Sequence, residues 1–142
     1  YGVLEKPFRN YHAKANQMKG QTGTNLMVLL ESRLDNVIFR MGLARTRREA
    51  RQIVDHRLIT VNGKVVNIPS YLVSAGDVVA VKESKKSLQR FKDILEVTNG
   101  RMVPAWIDCD QENLKATVKQ LPSREEIDVP VNEMLIVELY SK

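Results

Sequence analysis

At 142 residues the chain is long enough to bury one ordinary core or two small, closely packed ones, and no apolar run approaches the roughly 20 residues that cross a bilayer. The net charge of +5 is unevenly spread: residues 1–96 carry 17 Lys and Arg against 9 Asp and Glu, and residues 97–142 carry 5 against 8. A lone cysteine excludes an internal disulfide, no basic-then-apolar leader opens the chain, and the balance is that of a soluble, cytoplasmic protein with one basic face.

The first predicted element is a helix between Pro7 and Gly20, with Pro7 in its opening turn and Gly20 at its end. Its Phe8 and Tyr11, three residues apart, suit a packed face better than an RNA-stacking one, although Lys6, Arg9, Lys14 and Lys19 surround them. The chain starts at Tyr1 and not at Met, so the natural N-terminus is expected to lie upstream.

Thr24 is placed to cap the next helix, and Leu26, Leu29, Leu30, Leu34, Val37, Ile38 and Met41 recur at steps of three and four, as one helix or two nearly continuous ones. Gly42 supplies the left-handed stop, and Leu43-Ala44-Arg45 makes a turn. A new helix begins at Thr46, where Thr46-Arg47-Arg48-Glu49 has the capping-box spacing. Seven arginines crowd between Arg33 and Arg57. On the second helix Ala50, Ile53 and Val54 share an inward face, while Arg47, Arg48 and Arg51 fall on one outward flank. A rigid row of guanidinium groups suits phosphates spaced along a nucleic-acid backbone, whereas the bland reading is a solvated helix face. Glu49 and Asp55 point to other sides and neutralise the row only in part, at Arg51 with Asp55.

After His56 the pattern changes to short β-branched runs. Asn62-Gly63, between Ile59-Thr60-Val61 and Lys64-Val65-Val66, is a hairpin signal, since both central positions of a type I′ turn take positive φ. Asn67 to Gly76 reads as loop and Asp77 to Val81 as a strand of the same antiparallel sheet. Lys82, Lys85, Lys86, Arg90 and Lys92 form a looser basic segment, a surface connection or a contact. Strands follow at Trp106-Ile107-Asp108 and Ala116-Thr117-Val118 around the loop Asp110 to Asn113, and the alternation of Met134 to Lys142 gives a last strand in place of a third helix.

Little is present from which to build a catalytic site. His12 and His56 are expected to be structural or RNA-facing rather than general bases, Cys109 to be a buried and inert thiol, and no phosphate loop, zinc-protease or serine-hydrolase motif occurs. No metal ligands and no cofactor are expected in this segment. Arg33-Leu34-Asp35 is similar to the short signature around the catalytic aspartate of pseudouridine synthases, but Asp35 sits within a helix, and its expected role is to cap or pair within the arginine-rich unit.

The run from Arg33 to Val81, with its helix pair, arginine-rich second helix and Val-Asn-Gly hairpin, resembles the S-four RNA-binding module. The flanks, Tyr1-Gly-Val-Leu-Glu-Lys-Pro-Phe-Arg-Asn-Tyr11, Pro104-Ala-Trp-Ile-Asp-Cys-Asp110 and Val131 to Lys142, extend the resemblance over essentially the whole chain to the bacterial small-subunit ribosomal protein four family. The resemblance implies an α+β fold: a helical N-terminal part, and an α/β RNA-binding domain whose helix-turn-helix-like pair packs on an antiparallel sheet. Residues 1–31 would be a portion of the helical domain, 32–96 the RNA-binding module, and 97–142 a β-rich extension packing against both.

By the same resemblance the chain is a structural constituent of the small subunit in the cytoplasm. It would be a primary binder of small-subunit rRNA that nucleates 5′-domain assembly, lie near the messenger RNA entry region, and, with neighbouring ribosomal protein five, influence decoding accuracy. Arg45, Arg47, Arg48 and Arg51 would contact rRNA phosphates, with Asn62 and Lys64 at the hairpin as weaker contacts. The family's N-terminal arm, which in some members binds zinc, would precede Tyr1. The competing readings are the RNA-targeting module of an rRNA-modifying enzyme and a protein-interaction domain with a basic face. Because base edges in A-form RNA are hidden in a deep groove, the stiff arginine helix is expected to read backbone shape rather than sequence.

Overall fold

The computed structural model describes residues 22–121, with side chains from Leu26 onward. The helix expected between Pro7 and Gly20 and the strand expected over residues 134–142 lie outside the described residues. The contacts of the chain separate a unit that contains α1 (Thr22–Glu31) from a second unit, Ser32–Leu121. In α1, Leu26, Met27, Leu29 and Leu30 are buried. Thr24, expected as its cap, lies within the described helical residues.

The long apolar repeat resolves into two helices, α1 and α2 (Leu34–Arg40). The break falls at Arg33, which is extended and bridges Leu72. Ser32 O accepts from Val73 N at 2.9 Å, Leu34 N donates to Tyr71 O at 2.7 Å, and Asp35 N donates to Pro69 O at 3.1 Å. The loop around Pro69 and Tyr71 thus supplies acceptors for N–H groups that a helix start leaves without partners.

Helices α2 and α3 (Arg47–Asp55) end in the same way. After α2, Gly42 takes φ +86°, its N–H bonds Phe39 O, and Leu43 N bonds Ile38 O, the paired bonds of a Schellman motif. After α3, Arg57 takes φ +62°, its N–H bonds Val54 O at 3.1 Å, and Leu58 N reaches Ile53 O at 3.4 Å. The second motif therefore places an arginine where the first has a glycine.

The sheet is antiparallel, with strand order β2-β1-β3-β5-β4: β1 is Ile59–Val61, β2 Lys64–Val65, β3 Val78–Val81, β4 Ile107–Asp110 and β5 Lys115–Val118. Asn62 and Gly63 both take positive φ, +53° and +84°, as a type I′ hairpin requires. The register aligns Ile59 with Val81 and Val61 with Val79, and Val79 in turn with Ala116, so one face of the sheet is lined with small and branched apolar side chains. These join Val37, Ile38, Met41, Ile53, Val54 and Trp106 in one core. The helix pair packs on this sheet, which is the expected α+β arrangement, and the sheet continues past residue 97 into β4 and β5.

One element is absent from the sequence reading. Residues expected as a loose basic segment form a 3-10 turn at Glu83–Lys85 and then a helix, α4 (Gln89–Thr98). Phe91, Ile94, Leu95 and Thr98 have helical spacing, and Phe91, Ile94 and Thr98 are buried, but Lys92, Asp93 and Glu96 between them mask the repeat.

Arginine at a left-handed position costs backbone energy that glycine avoids, set against the greater freedom glycine has when unfolded. Arg57→Gly is therefore expected to raise unfolding stability by about 0.5–1 kcal/mol in urea titrations. A loss of stability would show instead that the Arg57 side chain itself secures the end of α3.

Candidate nucleic-acid interface

The turn between α2 and α3 aims the basic helix, and its backbone carbonyls are held from α4 and the segment after it. Arg101 Nη1 donates to Phe39 O at 3.0 Å and Ala44 O at 2.9 Å, and Nη2 donates to Arg45 O at 3.2 Å. The Thr98 hydroxyl lies 2.7 Å from Gly42 O and 3.1 Å from Ile94 O. These groups bond the Phe39 carbonyl near the end of α2 and the carbonyls of the turn that follows, and neither was foreseen. An arginine far along the chain carries no local signal of such a role.

At the start of α3 the Thr46 hydroxyl accepts from Glu49 N at 3.1 Å, as its cap spacing predicts. The reciprocal bond differs from the expected capping box. The Glu49 carboxylate goes one residue further back, accepting from Arg45 N at 2.7 Å and from the Arg45 guanidinium, with Nη2 to Oε2 at 2.6 Å. One carboxylate there collects both a backbone and a charged donor, which outweighs a single N–H. The hydrogen bond from Arg45 holds the Glu49 carboxyl below its ordinary range against a smaller opposing effect of burial, and the same bond raises Arg45. Arg45 remains about half exposed but is largely neutralised.

The expected outward row of three is corrected at Arg47. Its guanidinium carbon lies 4.5 Å from the centre of the Phe39 ring, and its Nε reaches Asn36 Oδ1 at 3.4 Å. Arg101 is 4.6 Å from the same ring and Arg40 5.9 Å. Phe39, half-buried beside the turn, offers a π face that draws the first arginine of α3 against α2. Arg48 and Arg51 are exposed and have no ion pair or hydrogen bond to other described residues, and they stand on a helix whose opposite face, Ala50, Ile53 and Val54, is fully buried. The partial neutralisation expected between Arg51 and Asp55 is absent. Arg57, exposed at the end of α3, adds a cation the site reading did not include.

At the hairpin the two expected contacts diverge. The Asn62 side chain is engaged at both ends: Nδ2 donates to Asp77 Oδ1 at 3.0 Å, and Oδ1 accepts from Val78 N at 2.9 Å. It ties the turn to β3. Lys64 is exposed and without a partner among the described residues.

Asp35 forms a two-pronged pair with Arg33, Nε to Oδ1 at 3.1 Å and Nη2 to Oδ2 at 2.9 Å, with both side chains almost wholly buried. This is the pairing expected of it and leaves no free carboxylate for base chemistry. Cys109 is half-buried, with Sγ 3.5 Å from Met41 O, and burial followed by the charges of Asp110 and Asp108 raises its thiol. His56 is exposed at the end of α3. No group of metal-ligating side chains occurs among the described residues, and no described helix is long and apolar enough to cross a membrane.

Residues 32–79 match the S4 domain family, and residues 1–31 match the ribosomal protein S4/S9 N-terminal domain. Over its whole length the chain is 75% identical to the small ribosomal subunit protein uS4 of Agathobacter rectalis and 68% identical to that of Lachnospira eligens. The corresponding protein of Lachnoclostridium phytofermentans is 69% identical, and the chain covers 72% of the length of each of these relatives. The chain belongs to the uS4 family. That family is one of structural ribosomal proteins and not of enzymes, as the sequence reading expected. Within it, the S4 domain match spans both helices of the arginine-rich pair and ends at Val79, so α4 and Arg101, which brace the pair, lie beyond it.

Two measurements check the bracing. Arg101→Ala removes three bonds from turn carbonyls and is expected to lower unfolding stability by about 1–3 kcal/mol in urea; an unchanged midpoint would mean that water replaces the guanidinium at no cost. Because the Glu49 pKa is depressed on folding, the Arg45 pair stabilises fully above about pH 5, where unfolded Glu is ionised, and is lost as pH falls through the lower folded value. Glu49→Gln should therefore flatten the acid limb of a stability-against-pH curve, and an identical limb would remove the pair from the account.

Proposed function

We propose that the unit from Ser32 to Leu121 binds small-subunit rRNA through the outer flank of α3, and that the chain acts as a structural constituent of the small ribosomal subunit in the cytoplasm. The observation that carries this reading is the state of Arg48 and Arg51: two exposed guanidinium groups with no described protein partner, one helical turn apart, over a fully buried face. A helix anchored in this way presents charge at a fixed spacing, and several phosphates gathered by a folded RNA junction match that spacing better than a plain duplex. Lys64 on the hairpin extends the surface. Arg45 contributes less because Glu49 already holds it, and Arg47 and Asn62 act by positioning α3 and the hairpin. The family relationship supports the wider assignment: a primary rRNA binder that nucleates 5′-domain assembly, lies near the messenger RNA entry region, and meets ribosomal protein five at a contact that influences decoding accuracy.

The test separates phosphate contacts from scaffolding. Arg48→Ala combined with Arg51→Ala should leave far-UV circular dichroism unchanged, weaken binding to a 5′-domain rRNA transcript, and shrink the slope of log affinity against log salt by about 1.4–1.8, two contacts at ~0.7–0.9 each. Arg47→Ala should instead lower the unfolding midpoint while changing the slope little. Unaltered affinity and slope in the double variant would sink the assignment.

A further inference from the structure

Between α3 and the loop that contains Pro69 lies a pocket of about 360 Å³ lined by Arg48, Arg51, Gln52, Asp55 and Pro69. Its size falls at the lower end of the ~300–1,000 Å³ range of small-ligand sites. We infer that this pocket seats a single unstacked RNA nucleotide, its phosphate on Arg48 and Arg51 and a hydrogen-bond donor of its ribose or base on Asp55; this rests on the RNA binding by α3 proposed above.

Asp55 is the observation that a plain phosphate-binding face does not explain. It is exposed, it makes no ion pair with Arg51 four residues earlier, and it is the last residue of α3, where a carboxylate meets the negative end of the helix dipole. A carboxylate there weakens phosphate attraction by both guanidiniums and stabilises nothing on its own helix. An ionised carboxylate only accepts hydrogen bonds, and phosphate diesters have no donor to offer, whereas the ribose 2′-OH and the N–H groups of base edges do.

The walls are held in place. Pro69 O accepts from Asp35 N at 3.1 Å, and the loop is further fixed by Tyr71 O on Leu34 N and by the bridge between Arg33 and Leu72. Gln52 Oε1 accepts from Arg90 Nη2 at 3.0 Å, which turns the amide so that its NH₂ group remains available. On a braced helix and loop the pocket thus offers cations for a phosphate, an acceptor for a sugar or base donor, and a proline as an apolar wall. Bases stacked in a duplex cannot enter it, so the ligand is a loop, bulge or single-stranded nucleotide.

The test uses the full chain and its Asp55→Ala variant, with binding measured by fluorescence anisotropy to short single-stranded RNAs of each base, to their all-deoxy counterparts, and to an RNA duplex. The wild type is expected to prefer one subset of single strands, and Asp55→Ala to bind that subset roughly tenfold more weakly, the loss of one hydrogen bond to a charged group, while duplex binding holds or tightens. Loss on removing the 2′-OH assigns the donor to the sugar; dependence on base identity alone assigns it to a base edge. If Asp55→Ala tightens every ligand equally, Asp55 is only a repulsive charge and the pocket is not a nucleotide seat, although RNA binding by α3 stands. If the wild type binds neither duplex nor single strands, the RNA-binding reading itself fails.

Discussion

One guanidinium on three carbonyl oxygens sets the direction of the basic helix. The segment from Met41 to Thr46 must reverse the chain within a few residues, and such a turn leaves carbonyls facing inward without helical partners. Arg101 takes those of Phe39, Ala44 and Arg45, and Thr98 takes that of Gly42. Both come from residues well beyond the helix pair, so the aim of α3 depends on α4 being packed through Phe91 and Ile94. The spacing of Arg48 and Arg51 is a property of the helix alone; their orientation relative to the hairpin is a property of this clamp.

The seven arginines between residues 33 and 57 divide into structural and available ones. Arg33 is consumed by Asp35, Arg45 by Glu49, and Arg47 by the ring of Phe39. Arg40 also lies over that ring. Arg48, Arg51 and Arg57 remain for an outside partner. Arginine serves both ends because a planar, always-charged group can stack, pair in two-pronged fashion or face phosphate without changing protonation. Total positive charge therefore overstates the interface, and the part that counts is what is left after internal pairing.

Much of this was legible in the residues. Gly42 and Asn62-Gly63 announced their positive φ, Thr46 announced its cap, and the Ala50, Ile53 and Val54 stripe announced the inner face of α3, because each rests on interactions within a few positions. What escaped depended on distant partners. Helical angle alone puts Arg47 beside Arg48 and Arg51, and only the approach of Phe39 from α2 turns it inward. The bonds of the Asn62 side chain to Asp77 and Val78 likewise arise only once the β1 and β3 pairing brings those residues alongside. Helix α4 was hidden because four charged residues, Arg90, Lys92, Asp93 and Glu96, are interspersed with its apolar ones, of which Phe91 and Ile94 reach the core and Val97 faces out.

The Cys109 thiol leans on the Met41 carbonyl at the same turn that Arg101 and Thr98 secure. Half-covered and flanked by Asp108 and Asp110, it holds its proton more firmly than an ordinary thiol. Thiolate chemistry at this sulfur is accordingly slower than at a free thiol. As the sole cysteine in the chain, it is a built-in reporter: a variant that loosens that corner changes its alkylation rate, with no engineered label to disturb the fold.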